Sequence, residues 1–421
     1  MWLLASGRLI SLTGGAAAYT ALNYHLYQRT GSAVWVAAAL FLTFGTIGFA
    51  SPLAGWVGDR FDRRRVMIVS DLAGAGCFAV MAMVDDPGIL LVFAFLSALA
   101  EAPFLSASAA AIPNLVSEDD LSWANGLVTV GRQAGILLGP VFGGTLVAGA
   151  GPELVFVLNA VSFVISAVVI AGLRGFRFGG SRADVARQSG LVAGLSFIAR
   201  DRMLRTMVFA WLALVLALGM SMVADVPLVE LFGAGSFGYG LLIASWGGGS
   251  VVGSLVAGRW FTARTEPFGL VAGIGVVAVT AGVVWIAPWF QLVLAAIVIM
   301  GVGDGLSMVA EQGIIQRRAP DAVRARVMGA MDAVIHIGLG LSYLVAGPAV
   351  DVLGPRGVYG VGGLGTAVAV IILLPILREA RAMAGEAAPA PADGGRPAAA
   401  PTLVGDVDQP AAGVDATANT S

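Results

Sequence analysis

The sequence predicts an all-α membrane protein of twelve transmembrane helices arranged as two six-helix repeats. Three observations carry that expectation. Of 421 residues, 58% are hydrophobic and only 12% charged, with a mean hydropathy of +0.87; soluble domains carry about 25% charged residues. The apolar residues fall into runs near the roughly 20 residues that cross a bilayer. The two halves also match each other at a fixed offset.

Charges, Gly/Pro clusters and polar turns break the chain into spans at 5–28, 33–58, 66–84, 88–112, 120–149 and 152–174. A second set follows at 203–229, 237–261, 267–287, 289–313, 322–350 and 355–378. Arg29, the Asp59–Arg65 cluster, Asp85-Asp86 and Gly151-Pro152 punctuate the first set; Glu230, Arg259–Arg264, Arg317-Arg318 and Gly354-Pro355 punctuate the second. The long charged break from Phe176 to Arg205 separates them, six and six. The expected organisation is a six-helix bundle over 1–175, a cytoplasmic linker over 176–202 and a second bundle over 203–378. The remainder, 379–421, contains EAAPAPADGGRPAAAP, a composition that predicts a disordered tail.

Arginine placement sets the expected orientation. There is no lysine, and all 24 basic residues are arginine. With the N-terminus inside, 21 arginines fall on the cytoplasmic side, two (Arg29 and Arg356) fall outside, and Arg132 lies within a span. That asymmetry predicts a multi-pass plasma-membrane protein with both termini cytoplasmic. The net charge of −2 points to no nucleic-acid partner, and the single cysteine, Cys77, reads as a packed core thiol.

A shift of 203 residues superposes the halves. Ser51–Gly55 (SPLAG) falls on Ser254–Gly258 (SLVAG), Glu101 on Asp304, Gly135 on Gly338, Gly144 on Gly347, and Gly151-Pro152 on Gly354-Pro355. Parallel six-span repeats enclosing a midline cavity are one arrangement used by secondary transporters.

Two motifs sharpen this. GWVGDRFDRR, after the second span, resembles the loop motif G-x-x-x-D-R-x-G-R-R of the major facilitator superfamily. Gly55, Asp59, Arg60, Arg63 and Arg64 match, and Asp62 replaces the second glycine. GILLGPVFGG resembles the fifth-span motif of that superfamily's proton-driven exporters, through Gly135, Gly139, Pro140, Gly143 and Gly144. LYQRTGSAVWVA and LSWANGLVTVGRQAGILLGP resemble the branch containing the enterobactin exporter and macrolide efflux proteins. The resemblance covers about residues 5–378 and implies the major facilitator fold, a monomer, and an exporter exchanging a small molecule for protons. It also implies that Asp59 couples the second span to the eleventh, and that the fifth-span glycines form a packed hinge limiting proton leak. In the second repeat Thr262 stands where Asp59 would fall, so the latch is expected on one side only. Arg64 and Arg65 read equally as topology determinants.

The spacing of Gly135, Gly139 and Gly143 clears one helix face for close packing. Ionisable residues inside spans are costly and mark function by default. Glu101 and Arg132 lie at similar depth with Gln133 nearby; a proton-coupling pair and a fixed structural salt bridge are both open readings. Asp304 sits at comparable depth in the tenth span, Glu311 seven residues later on the same face, and Asp332 and His336 one turn apart on the eleventh. Asp225, toward the outer end of the seventh span, and Asn23, in the outer half of the first with Tyr24 and His25, complete the expected cavity set. Exporters of this kind often have an acid near Gly14-Gly15; its absence here shifts the expectation to Glu101, Asp304 and Asp332.

No nucleophile–base pair, nucleotide cradle or metal-ligand spacing appears, so neither an enzyme nor a cofactor is expected; GVGDG (301–305) reads as helix packing. The expected partners are a small-molecule substrate, protons and the bilayer. The leading expectation is a proton-coupled exporter of an amphiphilic molecule such as an antibiotic, drug or siderophore. The alternatives are an importer of a metabolite or lysolipid, or a non-transporting receptor or assembly protein on the same fold.

Overall fold

The computed structural model describes residues 2–46, 57, 60–115, 121–172 and 191–386. The first six spans are Trp2–Thr30, Ala33–Leu40 continuing through a π-helical turn at Phe41–Gly45, Arg63–Met81, Pro87–Leu115, Leu121–Ala150 and Pro152–Gly172. The seventh comes in two pieces, Arg202–Leu218 and Ser221–Leu231, followed by Gly235–Trp260, Glu266–Ile286 and Phe290–Arg318. The helix Asp321–Glu386 is broken only at Gly354, where a φ of 70° separates the eleventh span from the twelfth. A residue without Cβ takes that conformation at little cost, which is why Gly-Pro marks the boundary. The predicted architecture of twelve helices in two sixes is the one observed.

Details differ at the edges. The last helix runs to Glu386, so the first eight residues assigned to the tail are helical, while 387–421 lie outside the described residues. Within the predicted linker, Leu191–Arg200 forms a helix that packs on the second bundle: a Cβ at Gly194 would strike the backbone carbonyl of Arg326 on the eleventh span. Cys77 is partly exposed on the third span, not fully packed.

Acidic side chains start several helices. The Asp62 carboxylate accepts from the Arg65 backbone N–H at 2.9 Å, capping the third span. Thus the residue replacing the motif's second glycine acts as an N-cap. Asp201 caps the seventh span through the Leu204 N–H at 2.9 Å and also accepts from Arg318 at 3.1 Å.

Without a hydrophobic driving force between helices in lipid, association rests on close packing and hydrogen bonds. Small residues supply the packing. A Cβ at Gly135 would stand 2.9 Å from Leu12 Cβ, at Gly139 2.5 Å from Ala16 Cβ, and at Gly143 2.5 Å from the Ala17 carbonyl oxygen, so this stripe seats the fifth span on the first. The repeat mates behave alike: Gly338 seats on Val215 of the seventh span, and Ser342 Oγ donates to the Leu216 carbonyl at 3.1 Å. In GVGDG, Gly301 and Gly305 press on the eighth span at Trp246 and Ser250, and Gly303 presses on the ninth at Gly273. That run is helix packing, as expected.

The last glycine of each motif joins the halves. Gly144 abuts Ser236 and Gly240 of the eighth span, while Gly347 abuts Val34 of the second. Val34 and Phe237, the neighbour of Ser236, are themselves related by the 203-residue shift, so the pseudo-symmetry extends to the contacts. An apolar cluster of Val36, Ala37 and Leu40 with Val223, Tyr343 and Ala346 fills in around these contacts. All of this lies toward the arginine-poor face, marked by the turns at Gly31, Gly151, Gly233 and Gly354.

Candidate functional site

Between the halves lies a cavity of about 600 Å³, within the range that holds a drug-sized ligand. Toward the arginine-poor face, among the described residues, three hydrogen bonds cross between the halves. Tyr24 Oη donates to Glu230 Oε1 at 2.6 Å, Asn23 Nδ2 to Tyr239 Oη at 3.5 Å, and Ser236 Oγ to the Gly144 carbonyl at 3.0 Å. Gln28 Nε2 donates to Tyr24 Oη at 3.0 Å, steadying the first of these. Together with the glycine contacts they close the cavity on that side.

Among the described residues, four carboxylates line it: Asp71, Glu101, Asp225 and Asp304. Glu101 and Asp304, the acidic repeat mates, each sit fourteen residues from the arginine-poor start of their helices at Pro87 and Phe290, roughly 21 Å along the axis at 1.5 Å per residue. Asp304 accepts from Ser250 Oγ at 3.4 Å, and Asp225 accepts a hydrogen bond from Tyr359 Oη on the twelfth span. Both second-half acids are thus held by hydroxyl groups of neighbouring helices.

The other expected site residues separate. Asn23 and Pro140 line the cavity. Arg132 and Gln133 lie on the fifth-span helix, with their side chains outside the described residues. Glu311 is 9% exposed, within electrostatic reach of Asp304 and Asp332, and is not among the lining residues. Asp332 and His336 do share a helix face, with His336 Nδ1 2.8 Å from the Asp332 carbonyl, but both are exposed and neither lines the cavity. The eleventh span contributes Leu339 there instead, because Gly338 and Ser342 fix its rotation against the seventh. His25 sits 3.7 Å from Asp85 beside the 2.7 Å Arg29–Asp85 ion pair, at the arginine-poor surface.

In the loop motif, Gly55 and Asp59 lie outside the described residues. Arg60 is exposed and Arg63 half-buried. Arg64 is more than a topology determinant: Nε donates to the Ile170 carbonyl at 3.1 Å and a terminal nitrogen to the Ala171 carbonyl. A cation there satisfies the last carbonyls of the sixth span and complements its dipole. In the second half, Arg317 pairs with Glu266 at 3.0 Å, tying the tenth span to the ninth.

Sequence reasoning missed Asp71, which is 1% exposed. It is a lone acid in the third span, whose first-repeat position has no acidic mate: Ile274 lies 203 residues on. It also missed the tyrosine ring of Tyr19, Tyr239 and Tyr359 around the cavity. Counting acids inside every span would have found Asp71; the tyrosines carry no comparable signal.

The profile of the Major Facilitator Superfamily matches residues 4–342. The multidrug efflux pump Tap of Mycobacterium tuberculosis is 27% identical over 402 residues, covering 90% of this chain and 94% of that protein. Macrolide efflux protein A of Streptococcus pyogenes is 20% identical over 395 residues, covering 89% and 95%. Among solved structures, the nucleoside transporter NupG superposes with a TM-score of 0.72 at 13% identity, covering 90% of this chain and 98% of that one. A bacterial homologue of the iron transporter ferroportin in its inward-facing state gives 0.69 at 15%, covering 89% and 97%. These structures share the fold. The twelve-span architecture, the midspan cavity between two repeats and the profile match over most of its length agree: the chain is a multi-pass membrane transporter and belongs to the major facilitator superfamily.

Proposed function

We propose that this secondary transporter is a proton-coupled exporter of small amphiphilic molecules, working by alternating access. The observation that carries the reading is the carboxylate-lined cavity, enclosed between the halves and closed toward the arginine-poor face. The positive-inside rule makes the arginine-rich face cytoplasmic, so both termini are cytoplasmic and the closed face is external. The cavity then loads from inside. Glu101 and Asp304, at matching depth, are positioned to hold protons and to release them as substrate binds. Release outward requires parting Tyr24 from Glu230 and Asn23 from Tyr239 while the halves close on the cytoplasmic side. Asp59 is assigned to that inner closure, and Asp225 to the outer end of the cavity. The protein works as a monomer, since each chain carries a complete cavity. Relatives described as a multidrug efflux pump and a macrolide efflux protein support export.

The test is exchange in proteoliposomes under an imposed pH gradient. Wild-type protein moves substrate against protons, and Glu101→Gln or Asp304→Asn reduces that exchange at least tenfold while binding persists. If both variants exchange normally, the coupling assignment is wrong.

A further inference from the structure

Asp304 borders two spaces. It lines the central cavity and also a side pocket of about 40 Å³ bounded by the seventh, eighth, ninth and tenth spans. Trp211, Ile274, Val277 and Ser307 line the pocket but not the cavity, so it reaches past the carboxylate into the second half. Three of its groups are polar. Trp211 is 7% exposed, and its indole N–H has no acceptor. Ser307 is 1% exposed; its Oγ donates to the Gly303 carbonyl at 2.8 Å, which leaves lone pairs to accept with. Asp304 accepts from Ser250 Oγ at 3.4 Å and has acceptor capacity to spare. A buried donor without a partner calls for an acceptor. Water settles in a buried space of about 10–15 Å³ per molecule when two to four polar partners surround it. The pocket meets both conditions, with room for roughly two or three waters.

Ser307 leads on to Glu311. Asp304, Ser307 and Glu311 share one face of the tenth span, with steps of about 4.5 Å and 6 Å along the axis, each within reach of a bridging water. Glu311 is 9% exposed, makes no hydrogen bond or ion pair among the described residues, and stands seven residues from the arginine-rich end of the helix at Arg318. The charged groups that act on it are Asp304 of its own helix and Asp332 of the eleventh span. Glu266 of the ninth span, beside Gly313, is held by Arg317 at 3.0 Å. Among the described residues, the seventh, eighth and ninth spans present no titratable side chain to the pocket. The series has no counterpart in the first repeat, where Phe104 and Ser108 are the mates of Ser307 and Glu311.

A substrate seated against Asp304 displaces the cavity water in front of it, so a proton leaving that carboxyl needs an exit that the substrate does not block. Resting on the transport reading above, we infer that the side pocket is a hydrated proton passage from Asp304 to Glu311, separate from the substrate path. The O–H bond of protonated Asp304 breaks as a pocket water takes the proton. That water passes one of its own protons, through a second water held by Ser307, to ionised Glu311. Glu311 then gives its proton to water at the cytoplasmic face. One proton moves and no other bond changes. Asp304 and Glu311 carry the proton; Trp211 and Ser307 are positioning residues that orient the waters.

The test uses the purified full-length chain and one probe, the dye rhodamine 6G. Its binding is read by fluorescence polarisation and its uptake in proteoliposomes with an acidic or a neutral lumen. Glu311→Gln should cut acid-driven uptake at least tenfold, and Glu311→Asp should restore part of it. Trp211→Phe, which keeps an aromatic ring and deletes the N–H, should cut it at least threefold. Both variants should bind the dye within twofold of wild type, which a general loss of structure would not allow. A smaller loss of uptake in either variant, or a loss matched by weaker binding, overturns the passage. The outcomes separate the two claims. Acid-driven uptake that falls with Asp304→Asn but survives Glu311→Gln refutes only the passage, since protons then leave through the cavity itself. Wild-type uptake that ignores the gradient refutes the transport reading and the passage with it.

Discussion

Replacing Gly144 by alanine separates contacts within one half from contacts between halves. The new Cβ would collide with the Ser236 carbonyl oxygen and approach Gly240 Cα to 3.3 Å, both on the eighth span of the other half. Neither neighbour is the end of a flexible side chain, so the halves must shift. Overpacking of this kind costs about 1–3 kcal/mol. The penalty exists only while the arginine-poor face is closed, so it acts in full on the closed–open equilibrium, a shift of roughly 5- to 150-fold. A minor open state commonly holds about 0.1–10% of the population, and such a shift makes it readily visible. Gly143→Ala differs. Its Cβ meets the Ala17 carbonyl at 2.5 Å, inside the first half, and that contact persists in both states. It should lower the melting temperature without moving the equilibrium. The assay is spin-label distance measurement across the arginine-poor face, with labels at Met83 and Trp289, both exposed, in a background lacking Cys77. Gly144→Ala should add a long-distance population and Gly143→Ala should not. If the two variants give the same distribution, the assignment of Gly144 to the gate is refuted. Gly347→Ala, whose Cβ would stand 2.8 Å from Val34 Cα, should mimic Gly144→Ala by pseudo-symmetry.

Tyr24→Phe removes the 2.6 Å bond to Glu230 and should weaken the closed state by about 1–2 kcal/mol; the same label pair reads it, and an unchanged distribution contradicts the gate. Arg64→Ala deletes two hydrogen bonds at the end of the sixth span and should cost about 1–3 kcal/mol. Thermal unfolding in detergent measures it, and Arg64→Lys should recover only part, since an ammonium cannot span both carbonyls in one plane. Breaking the Glu266–Arg317 pair should be asymmetric: Arg317→Ala, which strands a buried carboxylate, should destabilise more than Glu266→Gln. Comparison of their melting temperatures decides it.

The span pattern was legible because bilayer thickness fixes helix length and every internal break carries charge, glycine or proline. The repeat was legible because small residues at helix contacts cannot be exchanged freely, so Gly144 and Gly347 stayed in register. Side-chain direction was less so. Asp332 and His336 were expected in the cavity as ionisable residues one turn apart inside a span, yet that spacing says nothing about which way their face turns, which Gly338 and Ser342 set by packing on the seventh span. The bond between Tyr24 and Glu230 joins residues 206 apart, a pairing that only the closed arrangement of the halves creates. The π-helical turn at Phe41–Gly45, which brings Phe44 to the cavity, likewise has no signature in an apolar run.

The central claim is that substrate leaves in exchange for protons. The most direct measurement is uptake of an amphiphilic fluorescent dye, rhodamine 6G, into proteoliposomes with an acidic or a neutral lumen, after subtracting protein-free vesicles. The account predicts uptake that requires the acidic lumen, collapses with a protonophore and falls with Asp304→Asn. Uptake indifferent to the gradient, or uptake that follows protons inward when the gradient is reversed, would contradict it.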